Sequence, residues 1–214
     1  MIEIFDHPHA KHFLKDYRSF FEKNDAGVTD EKHPVKKHVH NSYIDDVGVS
    51  LSFMGNYQHI YRNWVRMHNF RFMFKLEPDK PTMWPHIDFE PEDCPSLRSR
   101  VKRILIYANE VWDDAWGGGT YFSPFDMYEC THRYTPRTSK KTFIENAERV
   151  VNKPGRAVVF DVDDYHLPQE FSGNTNPRFI YGGLLVRSDS TNLIEQLEVP
   201  NKETGRPVIG LKKN

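Results

Sequence analysis

From Phe70 onward the chain alternates apolar and polar residues. "NFRFMFKLE" sets Phe70, Phe72, Phe74 and Leu76 against Arg71, Met73, Lys75 and Glu77. Successive side chains of a strand point to opposite faces, so this pattern predicts a half-buried strand. Short runs rich in β-branched and aromatic residues follow at Arg100 to Glu110, Gly117 to Pro124, Gly155 to Val162, Tyr165 to Phe171 and Arg178 to Ser188. Gly, Pro, Asn and Asp punctuate them. Many short strands separated by turn residues predict a β-sandwich or a jelly roll.

Ahead of the strands, Phe13, Leu14, Tyr17, Phe20 and Phe21 recur at helical spacing and predict an amphipathic helix over His9 to Lys23. A second helix is expected over Asn56 to Met67. The expected class is therefore mainly β with flanking helices (α+β). It is a single domain over 1–214, with a helical N-terminal segment (1–69), a jelly-roll core (70–188) and a tail (189–214) that carries no identifiable chemistry. Phe125 to Val150 reads as a polar insertion, a loop or lid at one end of the strands.

Composition narrows the function classes. Apolar residues make up only 38% of the 214, but 14% are aromatic, and aromatic rings bury enough surface to build a core. A net charge of −1 supplies no basic field for phosphate, so no nucleic-acid partner is expected. No apolar stretch approaches the ~20 residues that span a bilayer. The N-terminus lacks the basic and apolar regions of a secretory signal, so a cytoplasmic protein is expected. Cys94 and Cys130 are isolated, as ordinary thiols in a reducing compartment would be. His33, His38 and His40 lie close together without a carboxylate or cysteine among them, which reads as a solvated basic loop.

One stretch carries chemistry. "MWPHIDFEPED" places His86 and Asp88 two residues apart, so on a strand both point to the same side. A third ligand has to come from elsewhere, and His166, following "AVVF" and "DVDDY", is the candidate. Two histidines and a carboxylate on one face of an ion, with the other positions open, suit non-haem Fe(II). Zinc hydrolysis uses such sets too, so these residues alone leave the chemistry open. Asp161, Asp163 and Asp164 lack the glycine and closing glutamate of a calcium loop and read as turn residues.

"RILIYANEVWDDAWGGGTYFSP", "PGRAVVFDVDDYH" and "NPRFIYGGLLV" together resemble the prolyl 4-hydroxylase-like branch of the iron(II)/2-oxoglutarate-dependent oxygenases. The resemblance covers about Phe70 to Ser188. It rests on an ordered series: His-x-Asp, Tyr-x-Asn followed by Trp, a glycine turn into a strand, a Pro-Gly before an apolar strand, a histidine, and a basic residue on the next strand. It implies a double-stranded β-helix, the cupin-like jelly roll, with His86, Asp88 and His166 as Fe(II) ligands. It also implies Arg178 and Tyr107 on the far carboxylate of 2-oxoglutarate, with Thr120 lining the same pocket. The implied reaction is hydroxylation of a C–H bond of a peptide, amino acid or other small molecule, a prolyl residue among them. O2 is consumed, 2-oxoglutarate becomes succinate and CO2, and ascorbate is an accessory reductant in such chemistry. The alternatives are a cupin-like metalloprotein that ignores 2-oxoglutarate and a non-catalytic jelly-roll binding module.

The chain departs from the family pattern in two places. The gap from His166 to Arg178 is a few residues longer, and Phe74 and Leu76 stand where many relatives carry a tyrosine. The paired arginines of nucleic-acid demethylases are missing as well, since Leu184 lies six past Arg178. Around the site, Trp84, Phe89 and Trp116 are candidates to line the substrate approach, together with Arg133, Arg137, Lys140 and Lys141.

Overall fold

The computed structural model describes residues 2–23, 39–43, 52–60, 63–76, 78–79, 84–123, 139–173, 176–200 and 207–209. His33, His38, Cys130, Arg133 and Arg137 lie outside them. The scaffold is a pair of antiparallel sheets. The larger is built from β1 (Glu3–Asp6), β2 (Val39–Tyr43), β3 (Trp64–Leu76), β4 (Val101–Tyr107), β7 (Arg156–Asp161) and β9 (Arg178–Arg187), in the order β1-β7-β4-β9-β3-β2. The smaller holds β5 (Thr120–Ser123), β6 (Glu148–Val150) and β8 (Tyr165–Pro168), in the order β6-β5-β8. A separate hairpin of β10 (Glu198–Pro200) and β11 (Pro207–Ile209) follows.

Strand pleating sorts the large sheet into two faces. Ile104, Ile106, Ala157, Val159, Phe179, Tyr181 and Leu185 cover the outer one, where they bury Ala10 and Leu14 of helix α1 (Ala10–Lys23) and Phe53, Met54 and Tyr57. The packing is close. A Cβ on Gly155, which has φ +74°, would lie 2.0 Å from the Ala10 Cβ, so only glycine lets the helix approach the sheet here. The other face points inward. Leu105, Tyr107, Val158, Phe160 and Ile180 meet Phe122 and Val150 of the small sheet and Phe171 beyond it. Two facing antiparallel sheets of short strands with a filled interior make this a jelly roll.

Four expectations need correction. Among the described residues of Asn56 to Met67 no α-helix occurs. Residues 52–55 form one helical turn, Gln58–Ile60 a 3₁₀ turn, and by Trp64 the chain has entered β3, as the β-favouring Trp64 and Val65 prefer. The first 69 residues are not only helical, because β1 pairs with β7 and β2 with β3. The expected insertion contains a helix over Lys140–Asn146, capped by the Ser139 side chain on Thr142 N, and then β6, which completes the small sheet. Phe89 is 1% exposed, packed with Ile87, Cys94, Leu97 and Phe143, and so lines core rather than any approach.

Candidate metal centre

His86, Asp88 and His166 come together. One ligand atom from each lies within 4.8 Å of the others, and no other such cluster occurs among the described residues. His166 sits on β8, and His86 forms a two-way backbone bridge with it: His86 N to His166 O is 3.1 Å, and His166 N to His86 O is 2.9 Å. The imidazoles are thereby placed side by side, ring centroids 4.3 Å apart. The expected strand under the His-x-Asp pair is just this single bridge, with Asp88 in the bend that follows. Ile87 between them is fully buried in the opposite direction, which turns His86 and Asp88 to the same side.

The ring tautomer is set by the backbone. His86 Nδ1 lies 2.8 Å from the Trp84 carbonyl, which can only accept, so Nδ1 carries the proton and Nε2 the lone pair. His166 Nδ1 faces the Asp164 carbonyl at 3.4 Å, and its Nε2 lies 3.9 Å from Asp88 Oδ2. Phe122 and Phe160 pack around the His166 ring, with centroids at 6.2 Å and 5.2 Å. Both histidines are buried, and Asp88 is half-buried. A cleft of about 600 Å³ opens elsewhere, beside Trp116, Glu170, Phe171 and Ser172, and none of His86, Asp88 and His166 lines it.

Arg178, Tyr107 and Thr120 also converge. Arg178, at the start of β9, is fully buried, and its Nη1 donates to the carbonyls of Gly118, Gly119 (2.8 Å) and Gln169 (3.3 Å). Its Nε and Nη2 have no hydrogen-bond partner among the described residues. Burial lowers its pKa to about 10, opposed by the nearby Tyr107. The Tyr107 hydroxyl donates to Thr120 Oγ1 at 2.9 Å, and burial raises its pKa, with Arg178 and Thr120 pulling the other way. The neutral phenol and the guanidinium thus lie side by side, both out of water.

The motif residues between these groups hold the arginine in place. Asn109 accepts from Phe179 N at 2.8 Å and donates to the Pro177 carbonyl at 2.9 Å, pinning the chain on either side of Arg178. Trp112 Nε1 donates to the Gly117 carbonyl at 2.9 Å and packs on Phe171. Gly118 has φ +73°, and a Cβ there would lie 2.7 Å from the Trp112 ring and 3.3 Å from Arg178 Cδ. Glycine is required for the turn to approach the guanidinium so closely. In the long gap before Arg178, Phe171 is bridged to Gly117, and Asn176 and Pro177 lead into β9.

Sequence reasoning passed over Arg103. It is 1% exposed on β4, and its Nε lies 2.6 Å from Asp88 Oδ2. The signal was its spacing, since Arg103 shares a strand face with Leu105 and Tyr107 and so had to point inward. Of the proposed approach residues, Trp84 is 52% exposed, with Lys140 Nζ 5.9 Å from its ring centroid. Lys141 is solvated and sits 3.9 Å from Glu145.

Two histidines and an aspartate are gathered between the sheets of an antiparallel jelly roll, and three solved structures share this chain's fold. HygX from Streptomyces hygroscopicus, crystallised with nickel, 2-oxoglutarate and hygromycin B, is 12% identical with a TM-score of 0.65, over 100% of this chain and 92% of its own. A prolyl hydroxylase from Trichoplax adhaerens, in complex with a hypoxia-inducible-factor degradation-domain peptide, is 12% identical (TM-score 0.54), over 88% of this chain and 84% of its own. A Pseudomonas putida prolyl-4-hydroxylase is 14% identical (TM-score 0.52), over 87% of this chain and 92% of its own. No family model matches the sequence, and no curated protein does.

Proposed function

We propose that this protein is an Fe(II)- and 2-oxoglutarate-dependent oxygenase that hydroxylates a C–H bond of a small molecule or peptide. The observation that carries the reading is Arg178. A buried cation with two unpartnered donors is costly unless a ligand supplies an anion. A zinc hydrolase would need no such group at this position. The far carboxylate of 2-oxoglutarate matches a guanidinium fork, and Tyr107 becomes a second donor by turning its hydroxyl proton from Thr120 Oγ1 to that carboxylate.

The donor set fits the metal. His86, Asp88 and His166 would hold Fe(II) on one face and leave its other positions open. When bound, the iron with O2 and 2-oxoglutarate supplies the oxidising power for hydroxylation, with succinate and CO2 as coproducts. The chain's own residues do the rest. Arg178 and Tyr107 fix one end of the cosubstrate, Thr120 orients the Tyr107 hydroxyl, and Phe122 and Phe160 keep water from the His166 ring. The backbone bridge between His86 and His166 of β8 keeps the reacting groups in register.

Trp84 and Lys140 offer an exposed aromatic and a cation two residues from His86 in one case and facing that ring in the other, which supports a substrate approach on this side. HygX with hygromycin B and the Trichoplax enzyme with its peptide make a small molecule or peptide a natural substrate class. No described helix is long and apolar enough to cross a membrane. The buried thiol of Cys94 accords with a reducing, cytoplasmic setting. The test is succinate formation from 2-oxoglutarate with Fe(II), O2 and ascorbate over a panel of candidate substrates. Turnover that needs 2-oxoglutarate and vanishes in His166→Ala is expected, whereas tightly held zinc with no turnover refutes the reading.

A further inference from the structure

Among the described residues, Arg103 is the buried cation that contacts the ligand set, and the reaction as proposed gives it no part. Its Nε and Asp88 Oδ2 are 2.6 Å apart, yet neither atom is aligned for a hydrogen bond. The contact is therefore a matter of charge more than of direction. The same oxygen faces His166 Nε2 at 3.9 Å, so the guanidinium adjoins the very atom that turns toward the histidines. Arg103 is held on β4 with its Nη1 3.4 Å from the Gly183 carbonyl, and it cannot move into water without opening the sheet interface.

We propose that Arg103, acting through Asp88, couples metal binding to cosubstrate binding: its positive charge weakens the site for a bare divalent cation and strengthens it for the metal together with an anionic cosubstrate. This rests on the reading of His86, Asp88 and His166 as metal ligands. The charges decide the sign. Two neutral histidines and Asp88 would give a loaded site of charge +1, and Arg103 raises it to +2. Like charges at the same carboxylate repel strongly in a buried site, an effect that outweighs the small rotamer entropy saved by holding one aspartate still. A dianion gains from the same excess. The pair also supplies Asp88 with a counter-charge before any metal arrives, since a lone buried carboxylate is expensive.

The experiment is calorimetric titration of Mn(II) alone, and then of 2-oxoglutarate into the Mn(II)-loaded protein, for wild type, Arg103→Met, Arg103→Gln and Arg103→Lys. The neutral variants should bind Mn(II) at least tenfold more tightly and 2-oxoglutarate at least tenfold more weakly. Arg103→Lys should restore the wild-type order. A residue with only a structural role would move both affinities the same way, or neither. Either result in a folded neutral variant overturns the inference, and Arg103→Gln carries the test if Arg103→Met does not fold. Tighter Mn(II) binding in the neutral variants, with a wild type that ignores 2-oxoglutarate, would overturn the coupling and the oxygenase reading while leaving the metal ligands in place. A wild type that takes up no Mn(II) overturns both.

Discussion

Replacing Arg178 with methionine should separate binding from stability. The side chain is fully buried, and a pKa lowered from 12.5 to about 10 corresponds to roughly 3 kcal/mol of burial cost at neutral pH, which the apolar variant recovers. Against this stand the Nη1 bonds to the Gly118, Gly119 and Gln169 carbonyls. Charged hydrogen bonds contribute about 1.5–3 kcal/mol each, so losing two good ones takes back roughly 3–6 kcal/mol. The terms largely cancel, leaving a net loss of about 0–3 kcal/mol and a fall in Tm of less than about 12 °C. Binding has no such offset. Truncating one partner of a buried charge pair costs about 2–5 kcal/mol, so 2-oxoglutarate affinity should fall roughly 30-fold to several thousand-fold. The assay is thermal unfolding with Mn(II), with and without 2-oxoglutarate. At 100 times Kd the cosubstrate stabilises the wild type by about 2.7 kcal/mol, a shift of roughly 5–10 °C. Arg178→Met should show at most about a third of it at the same concentration. A variant that keeps the full shift would refute the placement of the carboxylate at Arg178.

The glycine turn and the strand residues yield further expectations. Gly118→Ala puts a Cβ 2.7 Å from the Trp112 ring at φ +73°, which should cost roughly 3 kcal/mol and lower Tm by about 10 °C. Because the Gly118 carbonyl holds Arg178, 2-oxoglutarate affinity in that variant should fall too, as calorimetry would read. Tyr107→Phe removes one donor from the cosubstrate pocket, so 2-oxoglutarate should bind about tenfold more weakly while circular dichroism melting moves little. Asp6 is held at a pKa of about 2, below its ordinary 3.8, chiefly by its bond to Arg156. A depressed carboxylate pKa stabilises the fold above 3.8 and loses that contribution as pH falls toward 2, so Asp6→Asn should flatten the acid limb of the Tm–pH curve between about 5 and 2.

Much of the site could be read from the chain because its parts depend on local pattern. His86 and Asp88 are two residues apart, and the Tyr-x-Asn, the glycine turn and the Pro-Gly each shape one piece of backbone. Asn109 pins β9, Gly118 clears the arginine, and Gly155 admits α1. What escaped depends on pairing across sequence distance. Trp64 and Val65 sit in a stretch whose apolar spacing reads as helix, and only pairing with Val186 and Arg187 of β9 makes it strand. Residues 148–150 look polar alone and become strand because Thr120 to Phe122 offer an edge. Phe89 reads as a surface aromatic beside acidic residues until the Cys94–Leu97 turn folds over it. Arg103 was hidden by composition. A basic residue in "RVKRILIY" reads as solvent-facing, although its register with Leu105 and Tyr107 points it inward toward Asp88.

The most direct test of the account is the visible absorption of the anaerobic protein with Fe(II) as 2-oxoglutarate is added. Chelation of the keto acid by a His86–Asp88–His166 iron site predicts a broad metal-to-ligand charge-transfer band that saturates near one equivalent. The band should be absent in Asp88→Ala, which has lost the only anionic ligand. No band in the wild type, with zinc retained through dialysis, would contradict the account.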